Sequence, residues 1–162
     1  RPHVVAILCN VARGYASTGE PGKAIAYLSR ARALQPNAPA VRSLEIILTS
    51  RSGDQVRALD MARSAIGQGI YDFDLLNAAF VLAWRAGDHP LALKAMELRM
   101  QNFPEYMAIS LVQLGTFYQT EVRDTAKAMD AYRKGLAMAT PREKAALAAQ
   151  IPRELHETLG LT

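Results

Sequence analysis

Glycines 14 and 19 bracket four residues in "GYASTG", the spacing of a phosphate-binding loop, whose backbone amides cradle phosphates ahead of an obligatory Lys and Ser or Thr. Here Glu20 and Pro21 follow instead. A carboxylate at that point repels phosphate, and no strand pattern precedes the loop, so the stretch reads as the end of a helix. Gly67-Gln68-Gly69 lacks both the third glycine and the strand of a dinucleotide site and reads as a connector. His3, His89 and His156 lie far apart, with no partner at metal-ligand spacing, and structural roles are expected for them. Cys9 is the sole cysteine, which excludes an internal disulfide and a cysteine-based zinc cluster. Without a His at helical spacing to activate it, Cys9 is expected to be a small buried thiol. No acid pair, metal set or activated nucleophile emerges at useful spacing. The sequence therefore predicts no enzyme, no cofactor and no metal.

Composition narrows the remaining classes. Half of the 162 residues are hydrophobic and 21% are charged, the balance of a globular chain and not of a disordered one. The formal charge of +4 comes from arginines scattered between Arg1 and Arg153. That scatter argues against a nucleic-acid-binding patch. The longest uncharged apolar run, Leu75 to Trp84, falls far short of the roughly 20 residues that span a bilayer, so no membrane span is expected in this segment. The start at Arg1-Pro2-His3, without Met or a signal pattern, suggests a segment of something longer, and no compartment is assigned. Abundant Ala, with Arg far in excess of Lys, suggests a GC-rich bacterial origin.

The elements that would carry any site are helices. Apolar residues recur at three- and four-residue steps almost throughout, and β-branched alternation is scarce. Breaks fall at Gly19-Glu20-Pro21-Gly22, Gln35-Pro36-Asn37, Ser52-Gly53-Asp54, Gly67-Gln68-Gly69, Gly87-Asp88, Asn102-Phe103-Pro104 and Thr140-Pro141. The segments between them come in pairs. Gly19, Gly53 and Gly87 stand 34 residues apart, each at the end of the first helix of a pair, where a left-handed glycine satisfies orphan carbonyls. Asp54 and Asp88 follow two of these glycines and are placed to cap the next helix. Ala24, Ala58, Ala92 and Ala128 fall one turn into each second helix, with Leu28, Ala62, Met96 and Tyr132 four residues later. Small residues let two helix backbones approach, and the larger neighbours fill the space beside them. A hairpin of this size cannot hide its own apolar face and must stack on the next.

The pattern resembles the tetratricopeptide repeat (TPR) family, W-x2-L-G-x2-Y, then A-x3-F, then P. The fourth unit shows it best, with Leu111, Leu114-Gly115, Tyr118, Ala128, Tyr132 and Pro141. The first carries Leu8, Val11-Ala12, Tyr15, Gly19, Ala24, Leu28, Ala31 and Pro36, and the third Leu76, Ala79, Gly87, Ala92, Met96 and Pro104. The second is weakest: Glu45 falls at a core position, Ile70 replaces the Pro, and its first helix is expected to shift by one residue. The turn "QTEVRD" of the fourth is longer by about one residue. The resemblance implies an all-α fold, an α-solenoid with a right-handed superhelix, in a single domain over 1–162. Its units are about 3–38, 39–72, 73–107 and 108–141, with a capping helix over about 141–159. That helix opens with Thr140, Pro141 and Glu143 as a capping box, is kinked or split at Pro152, and carries a stripe of Leu147, Ile151, Leu155 and Leu159.

In this family the first helices of successive hairpins line a concave channel that accepts a peptide, a helix or a partner's terminus. Carried over by position, the inward side chains are Asn10, Arg13, Ser17, Ser43, Ile47, Arg51, Asn77, Val81, Arg85, Gln113, Thr116 and Gln119. Arg51 and Arg85 are equivalent, one repeat apart, and a guanidinium can hold a carboxylate through two parallel bonds. One subfamily reads chaperone C-termini with a set of Lys, Asn and Arg; this chain has Cys9, Arg13, Leu44, Asp74 and Ala78 at those places, so that clamp is absent. Tyr15, Phe80, Tyr118 and Tyr132 coincide with packing positions, whereas Trp84 is assigned equally to core or groove. The resemblance thus implies a non-catalytic scaffold with a protein or peptide partner. The alternative is an architectural or self-associating segment of a larger bacterial envelope protein, serving polysaccharide or pilus assembly, in which case the chain forms homo-oligomers.

Overall fold

The computed structural model describes residues 2–162, and among them every regular element is helical. Nine α-helices follow in order: α1 Pro2–Ser17, α2 Pro21–Leu34, α3 Pro39–Arg51, α4 Gln55–Gly67, α5 Phe73–Ala86, α6 His89–Asn102, α7 Met107–Phe117, α8 Thr125–Met138 and α9 Pro141–Ala148. They pack in adjacent pairs.

Local chemistry accounts for the boundaries. Pro stands at the first or second position of α2, α3 and α9, where its missing amide has no partner to lose. The carboxylates of Asp54, Asp72, Asp88 and Asp124 each accept from an amide three residues on, capping α4, α5, α6 and α8. Thr140 and Glu143 form the reciprocal capping box expected of them. Gly19, Gly53 and Gly87 close the first helices with φ of +78°, +98° and +73°. At the matching turn of the fourth hairpin the chain runs through a π-turn, Tyr118–Val122, into Arg123 at φ +59°. The π-turn absorbs the extra residue that lengthens this turn.

The chain divides into two compact units, Arg1–Ala95 and Met96–Thr162. Unit 1 holds α1 to α5 and the start of α6. Its core joins Val5, Leu8, Cys9 and Ala12 of α1 to Leu28 and Ala31 of α2 and to Val41 and Leu44 of α3. Leu44 is 1% exposed whereas Glu45 stays partly open and pairs with Arg32, so α3 meets the core one residue out of the expected register. Ala24, Ala58 and Ala92 are all fully buried, as helix contact points must be.

Unit 2 is built on the close pair α7 and α8. Thr116 Oγ1 lies 2.9 Å from the buried Tyr132 hydroxyl. A Cβ placed on Gly115 would stand 2.7 Å from two carbons of the Tyr132 ring, so only glycine lets the ring lie against this helix. The regular capping helix is shorter than the expected 141–159: α9 ends at Ala148 and the chain continues in turns, with a 3-10 turn at Arg153–Leu155. Pro152 has no amide to continue the ladder, and His156 instead bonds through its ring to the Ile151 carbonyl at 2.9 Å. The stripe survives: Leu147 and Ile151 are buried with Val112, Met129 and Leu136, and Leu155 and Leu159 pack against them.

Candidate functional site

The side chains expected to face a partner fall into two groups, one per unit. In unit 1, α1 and α5 each pack against α3. Arg13 of α1 forms an ion pair with Asp74 of α5 at 3.5 Å, so the first helices of the first and third hairpins also meet directly on this side. Arg13 also approaches the Asn10 amide oxygen at 3.5 Å, and the Ser17 hydroxyl donates to the Arg13 carbonyl at 3.0 Å. Arg13 and Ser17 are therefore committed within the protein. Ser43 corrects the sequence reading outright. It is 0% exposed with no bonding partner for its hydroxyl, because the one-residue shift of α3 turns it into the core.

Moving toward the C-terminal ends of α3 and α5, the same faces open. Ile47, Asn77 and Val81 are half-buried, while Arg51 and Arg85 are exposed. Each arginine sits in the last turn of its helix, where a cation is favoured by the helix dipole. Neither forms an ion pair among the described residues. Asn10, Ile47, Val81, Arg51 and Arg85 thus leave an apolar strip edged by amide and guanidinium groups.

In unit 2, Gln113 and Thr116 are held by internal bonds and Gln119 is turned inward. Gln113 accepts a 2.7 Å bond from Nη1 of Arg99, which is 1% exposed. Burial pushes the Arg99 guanidinium down to about 10. Thr116 donates to the Val112 carbonyl and meets Tyr132, and the Gln119 amide oxygen is buried. These three residues shape the core more than they present a surface.

The remaining residues with chemical potential are accounted for by packing. Cys9 is 1% exposed, and burial pushes its thiol up, away from the thiolate form a nucleophile needs. "GYASTG" forms the last turns and terminus of α1. Trp84 is half-buried with its ring edge-on to Phe80 at 5.4 Å, which places it in the core margin. Among the described residues, no three of His, Cys, Asp and Glu gather as a metal site, and no helix is long and apolar enough to cross a membrane.

Sequence reasoning missed a cleft of about 770 Å³ on α2, α3 and α4, with Arg42 and Arg57 on its walls. None of the twelve expected groove residues lines it. Its polar lining residues recur at helical spacing on α2, α3 and α4, a pattern that any solvated helix face shares, so nothing in the sequence marked the hollow.

No family model matches the chain, and no curated protein matches it significantly. Among solved structures, the crystal structure of MamA superposes with a TM-score of 0.66 at 19% identity, covering 93% of this chain and 83% of that one. The fold is a TPR-type helical repeat.

Proposed function

We propose that this protein is a non-catalytic interaction module whose unit 1 binds a protein segment along the first-helix face of α1, α3 and α5. The observation that carries this reading is the pairing of Arg51 and Arg85. They are exposed, occupy equivalent helix ends one hairpin apart, and have no carboxylate neighbour among the described residues to neutralise them. Ile47 and Val81, one turn before each arginine, supply apolar contact beside the charge. A segment carrying an apolar side chain and a carboxylate, or ending in one, satisfies both.

The test is affinity capture from the source organism's lysate, quantified by mass spectrometry, with wild-type protein, Arg51→Gln/Arg85→Gln and Arg51→Glu/Arg85→Glu. Specific partners should fall in the Gln variant and vanish in the Glu variant, with helical content unchanged by circular dichroism. Partners captured equally by all three proteins would remove the arginines from the interface. Tight self-association with no segment bound would favour the architectural alternative, in which the chain assembles with its own copies within a larger protein.

A further inference from the structure

The cleft on α2, α3 and α4 lies wholly within unit 1 and is separate from the first-helix face. Its wall along α3 and the C-cap runs from Arg42 to Ser52, about 15 Å at the helical rise. It is an open surface cleft of about 770 Å³, long enough for a short segment to lie along it. The middle is apolar: Leu28 is buried at the floor, Leu48 and Met61 are half-buried, and Ile25 is 54% exposed. Leaving Ile25 in water is unfavourable by roughly 25 cal/mol per Å² of apolar surface, and a covering segment would recover that.

Charge is distributed unevenly around this centre. Glu45 pairs directly with Arg32, and Asp60 pairs with Arg63, whose other nitrogen holds Asp88. The guanidinium of Arg42 meets only the neutral Asn37 amide, at 3.2 Å. Arg57 has no side-chain partner among the described residues, its only polar bond being the backbone amide that Asp54 caps. Because α3 and α4 run antiparallel, Arg42 at the start of α3 and Arg57 at the start of α4 stand at opposite ends of the cleft. The two unneutralised cations therefore flank the apolar middle.

We propose that this cleft is a second protein-docking site, occupied by a short peptide segment with a few apolar residues flanked on both sides by Asp or Glu. The apolar residues cover Ile25, Leu48 and Met61, and the flanking carboxylates meet Arg42 at one end and Arg57 at the other. A basic segment is rejected by the same two groups. This site needs nothing from Arg51 or Arg85, so it stands or falls separately from the first-helix face.

The experiment is selection of a random twelve-residue peptide library on the Arg51→Glu/Arg85→Glu protein, followed by anisotropy measurements with the recovered peptides. Enrichment of acid-apolar-acid sequences is expected. Those peptides should bind the selection variant, and bind the same protein carrying Arg42→Glu/Arg57→Glu in addition at least about tenfold more weakly, as loss of two charge contacts plus new repulsion requires. Titration of methyl-labelled protein should move the Met61 signal. Should the charge-reversed variant fail to fold, as read by circular dichroism, Arg42→Gln/Arg57→Gln replaces it with the same direction expected. The proposal is overturned by a recovered pool with no acidic flanks, by binding that both 42/57 variants retain, or by an unmoved Met61 methyl.

Discussion

Arg123 and Asp72 carry strain that their neighbours do not. Gly19, Gly53 and Gly87 take a left-handed φ at no steric cost, whereas Arg123 adopts φ +59° with a side chain. Arg123→Gly should raise stability by about 0.5–1 kcal/mol, read from denaturant unfolding. Asp72 caps α5 through the Leu75 amide at 2.8 Å, yet burial holds its carboxyl above the usual range, outweighing the downward pull of that bond. Because its value is raised in the folded state, stability from this group is full below the unfolded value and is lost as pH rises through the folded one. Asp72→Asn keeps the cap without the charge and should be more stable than wild type near neutral pH, the difference shrinking as pH falls through the raised folded value and levelling off below the ordinary carboxylate range. Asp72→Ala should instead lose about 1 kcal/mol through the missing cap. Thermal melts of the three proteins across pH decide between these outcomes. At this scale the caps at Asp54, Asp88 and Thr140 were legible from residue type and position. Those at Asp72 and Asp124 were not, because no glycine stands directly before either of them.

Among the elements, α7 and α8 make the tightest test of small-residue packing. Gly115→Ala gains roughly 1 kcal/mol of helix propensity but drives a Cβ into the buried Tyr132 ring, an overpacking cost of about 1–3 kcal/mol. A net loss is expected by chemical denaturation, and it should shrink or reverse in a Tyr132→Leu background where the ring is gone. Tyr132→Phe alone keeps the shape and removes the bond to Thr116, with an expected loss of about 1 kcal/mol. The repeat pattern marks Gly115 and Tyr132 as separate positions, and only the packing of α7 on α8 brings them together. The end of the capping helix was not legible either, since its stripe at four-residue spacing reads as continuous helix whether or not the backbone bonds persist. Leu155 and Leu159 reach the same core from a 3-10 turn and the turn after it.

At the scale of the whole molecule, one buried cluster joins α1, α2 and α3 within unit 1 and another joins α7, α8 and α9 within unit 2, and a cavity made in one is expected to loosen its own unit first. Leu44→Ala, which empties a site at 1% exposure in unit 1, should cost about 2–5 kcal/mol. Hydrogen exchange should then accelerate in amides of α1 to α4 well before those of α7 and α8. Uniform acceleration along the chain would mean that the protein opens as one cooperative body.

From residue order alone came the all-helical class, the hairpin boundaries, the buried alanines and most of the caps, because periodicity, Gly and Pro act within a turn or two of chain. Which polar side chains stay available was a different matter. Ser43 sank into the core through a one-residue shift of α3, and Gln113 and Thr116 were taken by Arg99 and Tyr132, partners 14 and 16 residues away. The hollow between α2, α3 and α4 had no local signature at all. Such outcomes depend on how neighbouring helices meet, and spacing along one helix says which residues share a face but not what that face will touch.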